Sequence, residues 1–282
     1  KGRSFIVTSS ARVIGAGTAT YDSSRNWTGG TALTRDPDEG GQAGVDILNV
    51  EASDVIVEHL TLDGFMNLNT AAGQTMWRGI GVDCPNSDWG CTVIAENIIF
   101  RNIEILDVVN GVLTGRDSLT FENIVMRRTP TGDAYYLARD PAADWAPFRR
   151  GFWFEGSENI VLDNVAVYGA RRAIVIDPNP TQISINNAIL SGSGHVDSVG
   201  IEITTDPSEP GPVSLDITGA LTLENVSTGI LIDDLLSAPN TITLSASLDS
   251  LSTSNIGIGI ERTNSGSVSG LTTFANQLGF TN

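Results

Sequence analysis

The chain has 282 residues and a formal net charge of −17, with 16 Lys and Arg against 33 Asp and Glu. Proteins that bind a nucleic-acid backbone or an anionic membrane surface need a basic footprint, so the composition argues against both kinds of partner. Lys1 is the only lysine, which excludes a catalytic lysine in the rest of the chain. No apolar run reaches the roughly 18 residues that a membrane-spanning helix needs.

One kind of predicted strand begins with Gly or another small residue and continues as apolar, variable, apolar. We call these the glycine-led strands, and most of them end in an acidic residue. Nine copies are predicted, at residues 5–7, 45–48, 79–83, 111–114, 151–155, 173–177, 200–204, 229–233 and 257–261. Because the apolar residues alternate with a period of two, each copy is typical of a half-buried strand.

A second recurring segment reads apolar, variable, apolar, polar, Asn, apolar, and His59 replaces the Asn once. The five clear copies are at residues 55–60, 98–103, 119–124, 160–165 and 183–188. Two weaker copies put Gly219 and Ala246 in the Asn position. The Asn positions are 43, 21, 41 and 23 residues apart, which indicates a unit of about 22 residues. Only one glycine-led strand lies within each long interval, so the long intervals indicate insertions.

No segment shows the 3.6-residue period of an amphipathic helix, which argues against folds that alternate strands and helices. Short strands repeating about every 22 residues predict an all-β solenoid of parallel strands. Each coil would hold three strands: the glycine-led strand, the strand before Asn, and the short strand after Asn. Stacked Asn side chains can exchange amide hydrogen bonds with their copies in neighbouring coils. We predict one domain over residues 1–282, with about nine coils.

The Asn at the turn, the glycine-led strand and the period near 22 residues resemble the right-handed parallel β-helix of the pectin-lyase-like superfamily. The resemblance covers about residues 5–270. It implies that long loops between the strand after Asn and the glycine-led strand form the wall of a saccharide groove. The superfamily includes polysaccharide lyases, glycoside hydrolases, epimerases, phage tailspikes and adhesins, so the resemblance implies no single activity.

Three predicted insertions, at residues 64–78, 127–150 and 191–198, fall at this turn. Long loops in a compact fold are usually functional, although loops that only cover the sheet are the alternative. We expect aromatic and basic residues in and beside the insertions to bind a sugar chain: Trp77, Arg78, Tyr135, Tyr136, Trp145, Arg149 and Trp153. His195 precedes Asp197 in the third insertion and is either a general acid or an ordinary surface histidine.

Alternation places charged residues in rows on the outer face of the glycine-led strands. The strands at 151–155 and 173–177 are neighbours, so Glu155 and Asp177 would lie about 5 Å apart. The arginines before these strands would be neighbours too, and Glu202 would lie one coil further on. The predicted catalytic residues are Arg150, Glu155, Arg172, Asp177 and Glu202.

Three interpretations of these residues remain open. Glu155 and Asp177 could bind Ca²⁺, which prefers oxygen ligands, while an arginine neutralises or deprotonates a uronate in a lyase reaction. Alternatively, Glu155 with Asp177 or Glu202 could be the carboxyl pair of a glycoside hydrolase, whose separation would decide between retention and inversion. The third interpretation is a surface ladder in which arginines compensate stacked acids.

Cys84 and Cys91 favour a disulfide that closes a short loop, which indicates a secreted or extracellular protein. We therefore expect an extracellular carbohydrate-active protein whose partner is a polysaccharide. The alternative is a non-enzymatic β-helical shaft or adhesin on a virion or cell surface, forming homotrimers or end-to-end assemblies. Neither end of the solenoid shows a cap in the sequence, and exposed strand edges favour such association.

Overall fold

The computed structural model describes residues 5–23, 27–34, 46–64, 78–82, 95–130, 132, 149–177, 181–204, 211–233, 241–263, 267–269 and 271–278. Seventeen strands form one continuous sheet in which every pairing is parallel, and two further strands form a small antiparallel sheet. The predicted all-β parallel β-helix is therefore confirmed. The predicted disulfide between Cys84 and Cys91 lies outside the described residues.

The strands follow one another along the chain, and a helix lies near its C-terminal end. They are β1 (Phe5–Val7), β2 (Arg12–Ile14), β3 (Thr20–Tyr21), β4 (Trp27–Gly29), β5 (Ala32–Thr34), β6 (Asp46–Val50), β7 (Val55–Asp63), β8 (Arg78–Val82), β9 (Ile98–Leu106), β10 (Asn110–Thr114), β11 (Leu119–Arg127), β12 (Arg150–Glu155), β13 (Ile160–Ala170), β14 (Arg172–Asp177), β15 (Thr181–Gly192), β16 (Val199–Thr204), β17 (Val213–Asp233), β18 (Thr241–Arg262) and β19 (Ser267–Ser269). The helix is α1 (Leu271–Gln277).

The glycine-led strands pair with one another to form one wall of the solenoid, which we call the glycine-led wall. In spatial order it contains β1, β6, β8, β10, β12, β14, β16 and the C-terminal parts of β17 and β18. These are the nine copies that the sequence predicts. In the two long intervals, one glycine-led strand (β8) separates β7 from β9, and one (β12) separates β11 from β13, just as one (β10) separates β9 from β11 in a short interval. The long intervals between Asn positions are therefore insertions, as predicted.

The other two walls lie before and after the Asn corner, and their strands are longer than predicted. β9 passes through Asn102 and β11 through Asn123, each with φ of 54°. A single residue in the left-handed region turns the chain without interrupting the ladder, so the two short strands are joined into one. Asn tolerates this conformation better than most residues, and His59 adopts it as well, with φ of 59°.

The core is formed by the inward apolar residues of successive coils. Phe100 and Phe121 stack with their ring centroids 5.1 Å apart, and Phe152 meets Phe121 edge-on at 5.4 Å. All three phenylalanines are completely buried. Because coils stack at strand spacing, these rings contact one another from coil to coil and continue the core along the axis.

The last coil is shifted by two residues from the prediction. Gly229 lies beside Gly259, not Gly257, and Glu261 therefore pairs with Leu231. The repeated Gly-Ile pattern of residues 257–260 fits either register, so alternation alone does not decide it. The register is fixed by the preceding corner, where Asn255 Nδ2 donates to Asn225 Oδ1 at 2.9 Å. Both asparagines lie four residues before their glycines.

Two further predictions for the C-terminal part are wrong. Ala246 does not occupy an Asn corner, because it pairs with Ile217 and belongs to the core. The C-terminal end does carry a partial cap, since α1 packs on β18 and buries Phe274 and Leu278. In the described part of the chain, no helix has the length and apolar character needed to cross a membrane.

Candidate functional site

Close packing at the start of each glycine-led strand explains why a small residue recurs there. A Cβ atom at Gly151 would lie 2.5 Å from the carbonyl oxygen of Ala173 and 2.7 Å from Val167 Cγ1. Glycine lets the chain turn tightly against the core at this point. The residue before the glycine and the residue two positions after it then lie on the outer face, where Arg150 and Trp153 contact each other.

Strand register brings the predicted catalytic residues together on this face. Arg150 pairs with Arg172, and Glu155 pairs with Asp177, across β12 and β14. Glu202 lies on the next strand beside Val175. The five residues predicted as catalytic therefore occupy three consecutive strands of the glycine-led wall, as the rows in the sequence indicate.

Asp177 is the centre of this group. Trp153 Nε1 donates a hydrogen bond to Asp177 Oδ2 at 2.5 Å, and Thr204 Oγ1 donates to Asp177 Oδ1. The Arg150 guanidinium lies over the Trp153 ring, with Cζ 3.8 Å from the ring centroid. Trp153 thus carries the Arg150 guanidinium on its ring face and holds the Asp177 carboxylate at its ring edge, which links β12 to β14.

Glu202 forms an ion pair with Arg172, whose Nε lies 2.7 Å from Glu202 Oε2. Burial raises the pKa of Glu202, although the charge and hydrogen bond of Arg172 act in the opposite direction. A raised pKa keeps a carboxyl group protonated at higher pH, which is what a general acid requires. The raised pKa makes Glu202 the candidate proton donor of this group, while its ion pair with Arg172 favours the charged form.

Arg150 is the second residue of the group with a shifted pKa. Burial lowers the pKa of Arg150 to about 10, and the neighbouring charge of Arg149 acts in the same direction, while Asp177 and Glu202 oppose it. The guanidinium is still protonated at neutral pH, but its positive charge is poorly solvated. A negatively charged group of a ligand would stabilise that charge.

A second polar cluster borders the group on the third predicted insertion. His195 Nδ1 contacts Asp197 Oδ1, and Arg171 Nε donates to Asp197 Oδ2 at 2.8 Å. Burial tends to raise the pKa of Asp197, but the hydrogen bonds from Arg171 and His195 outweigh it, so the pKa is lowered. Arg172 donates to the main-chain oxygen of Asp197, which links this cluster to Glu202.

Arg78, predicted to bind substrate, lies two strands from Arg150 in the same row. Arg78 Nε is 2.6 Å from Asp46 Oδ1, and the Asp46 carboxylate lies over Gly81. Asp46 is a member of this row that the sequence does not reveal, because β6 has no leading glycine. Its place in the row follows only from its pairing with Arg78.

The calcium prediction finds little support in the donor set. The described residues include no group of three or more His, Cys, Asp or Glu placed to hold a metal ion. Both oxygens of Asp177 already accept hydrogen bonds from Trp153 and Thr204. Glu155 is exposed at the end of β12. A calcium ion needs six to eight oxygen ligands, so Glu155 and Asp177 alone fit it poorly.

The remaining predicted substrate-binding residues divide into two groups. Arg149 precedes β12 directly and is half-buried beside Arg150. Four aromatic residues of the first two insertions lie outside the described residues: Trp77, Tyr135, Tyr136 and Trp145. Their roles remain predictions. Comparison with models of known protein families finds no match, and no curated protein is significantly similar in sequence.

Proposed function

We propose that the protein is an extracellular enzyme that hydrolyses an acidic polysaccharide lying on the glycine-led wall. The proposal rests mainly on one observation: Arg150, Trp153, Asp177 and Glu202 lie together on three neighbouring strands. The resemblance of the repeats to the pectin-lyase-like superfamily supports a saccharide ligand. The extracellular location is supported only by the spacing of the two cysteines.

The acidic nature of the substrate follows from the charge around Arg150. The protein has a net charge of −17, yet the group contains Arg149, Arg150 and Arg172 within a short distance. Poorly solvated arginines attract carboxylate groups by charge-assisted hydrogen bonds. Trp153 supports the Arg150 guanidinium on its ring face.

For the reaction, we assign Glu202 as the general acid and Asp177 as the general base. Glu202 donates its proton to the glycosidic oxygen as the bond to the anomeric carbon breaks. A water molecule adds to that carbon and gives its proton to Asp177, so that one water is consumed for each bond cleaved. Because we assign Asp177 as a base that activates water and not as a nucleophile, inversion is expected.

A lyase reaction is the alternative chemistry for the same residues. Arg150 would then remove the proton beside the uronate carboxylate. A pKa of about 10 makes Arg150 a stronger candidate than an ordinary arginine, but most molecules would still carry the proton at neutral pH. We therefore prefer hydrolysis, and we derive no step through calcium because its ligands fit poorly.

A shaft or adhesin is the second candidate, and it is favoured by exposed apolar side chains on the strands. Ile14 of β2 is 58% exposed, and Ile258 of β18 is 47% exposed. Apolar residues exposed at strand edges favour association with another chain. Under this proposal the protein would assemble end to end or as a trimer and would cleave nothing.

The test is a screen of the purified protein against acidic and neutral polysaccharides, with added Ca²⁺ and with chelator. Reducing ends and the ultraviolet absorbance of unsaturated uronates are followed in parallel. Hydrolysis predicts reducing ends from an acidic polymer without the absorbance, in chelator as well as in Ca²⁺. Reducing ends together with the absorbance would show a lyase. No product from any polymer would favour the shaft.

A further inference from the structure

Asn110 has an unusual environment on the glycine-led wall. The residue is 0% exposed, and among the described residues neither its Oδ1 nor its Nδ2 has a hydrogen-bond partner. Buried side-chain amides in proteins are nearly always hydrogen-bonded, because an unpaired buried amide is costly. Among the described side-chain amides, Asn110 is therefore an exception in which both the donor and the acceptor are buried and unpaired.

The two neighbours of Asn110 in its row on the glycine-led wall are arginines. Asn110 pairs with Arg78 on one side and with Arg150 on the other. Arg78 Nε lies 2.6 Å from Asp46 Oδ1, and Asp46 is on β6, on the side of β8 opposite to Asn110. Arg150 packs on the Trp153 ring. Asn110 therefore stands next to a poorly solvated cation, with both its donor and its acceptor available.

We propose that Asn110 and Arg150 form a subsite for a sugar unit that carries an acid group next to a hydroxyl. The acid oxygens would accept from the Arg150 guanidinium and Asn110 Nδ2, and the hydroxyl would donate to Asn110 Oδ1. Such a unit offers the charge and both hydrogen-bonding functions that these residues lack. This inference rests on the proposed function, since it extends the same groove.

The subsite lies apart from the reacting bond. β10, β12, β14 and β16 are consecutive neighbours in the wall, so Asn110 and Glu202 are separated by three strand spacings, roughly 14 Å. Asn110 would thus contact a distal unit of the polymer and determine specificity without taking part in catalysis. Because Asn110 is 0% exposed, binding at this subsite requires the side chains that cover Asn110 to move.

The test compares two variants of Asn110 with one matched control. Asn110→Leu keeps the size of the side chain and removes the amide, whereas Asn110→Asp places a negative charge beside Arg150. Asn186→Leu is the control, because Asn186 Nδ2 donates to Asp163 Oδ1 at 2.7 Å on another wall. Binding of a uronic-acid oligosaccharide, and of the same oligosaccharide with its carboxyl groups reduced, is measured by calorimetry, and thermal unfolding is measured in parallel.

We expect wild type to prefer the acidic oligosaccharide. Asn110→Leu should melt at the same or a higher temperature and should bind the acidic ligand about tenfold more weakly, with the reduced ligand unaffected. Asn110→Asp should lose the acidic ligand as well. Asn186→Leu should melt at a lower temperature with unchanged binding.

Two results would overturn the inference in different ways. Unchanged affinity of both Asn110 variants for the acidic ligand, in a protein that binds it, would refute the subsite and leave the proposed function standing. Failure of wild type to bind either oligosaccharide would remove the proposed function together with the subsite.

Discussion

At the scale of single residues, the corners of the solenoid depend on side chains that accept the left-handed backbone region. Asn102, Asn123 and Asn164 have φ values of 54°, 54° and 53°, and Asn123 Nδ2 donates to Asn102 Oδ1 at 3.0 Å. The asparagine thus supplies both a tolerated conformation and a hydrogen bond to the next coil. This pattern is visible in the sequence because the same residue recurs at the same place.

Asn123 offers a direct test of this dependence. Asn123→Ala should lower the free energy of unfolding by about 1–2 kcal/mol, because alanine is strained in this conformation and cannot bond Asn102. Asn123→Gly should cost less, since glycine removes the strain and loses only the amide bond. Urea unfolding measures both variants. Equal losses for alanine and glycine would show that backbone conformation does not contribute.

Other corner residues were not predicted, for a physical reason. The turn that leads into the strand before Asn is made by Asp54, Asn97, Ser118 and Asn159, with φ values of 58°, 56°, 57° and 57°. Three different residue types satisfy this corner, because short polar side chains all tolerate it to some degree. A single sequence therefore shows no repeat at these positions.

Glu58 is the residue whose titration should affect stability. Arg12 Nε and Arg101 Nε each lie 2.5 Å from one of its carboxylate oxygens. These hydrogen bonds lower the pKa of Glu58 from 4.5 to about 2. Since the folded pKa lies below the unfolded one, the stabilisation is present above about pH 4.5 and is lost as the pH falls toward 2.

Glu58→Gln should therefore melt at a lower temperature than wild type at neutral pH. The difference should shrink as the pH is lowered from about 4.5 to about 2, because both proteins then lack the charge. Thermal unfolding over a series of pH values measures this difference in melting temperature. The other carboxylates titrate in both proteins, so their effects on stability cancel in the difference. A difference that stays constant with pH would contradict this account.

At the scale of elements, the third insertion and the two strands beside it form one unit. Asp197 is held by His195 and Arg171, and its main-chain oxygen accepts from Arg172, which pairs with Glu202. The sequence placed His195 and Asp197 in a loop at the correct turn. It could not show their link to Glu202, because that link passes through a main-chain oxygen.

Asp197 is expected to position the acid rather than to take part in the reaction. Asp197→Ala removes the carboxylate that binds Arg171 and His195, so the loop is no longer fixed beside β14. Arg172, which donates to the main-chain oxygen of residue 197, should then move away from Glu202. The pKa of Glu202 should rise further, because it loses the neighbouring positive charge. The alkaline limb of the pH–rate profile should move to higher pH. Asp163→Asn, a change on another wall, should leave the limb in place. A lower rate with the alkaline limb of the pH–rate profile at the same pH as in wild type would show that Asp197 has only a structural role.

At the scale of the whole molecule, the sequence predicted the architecture better than it predicted the site. Each copy of the strand pattern is a weak signal on its own, but its repetition allowed nine coils to be counted and their order to be assigned. The two-residue shift of the last coil was not predicted, because Gly257 and Gly259 fit the alternating pattern of apolar residues equally well. The pairing of Arg78 with Asp46, the bonds to Asp177 and the unpaired amide of Asn110 depend on side-chain geometry, which no repeat encodes.

The most direct test of the central claim compares wild type with Glu202→Gln on the acidic polysaccharide from which wild type releases most reducing ends. Glutamine keeps the size of the side chain but cannot donate the proton, so the rate should fall by about 10²–10⁴-fold with binding retained. Asp163→Asn, distant from the group, should retain full activity. Equal rates for wild type and Glu202→Gln, or no cleavage of any acidic polymer by wild type, would contradict the account.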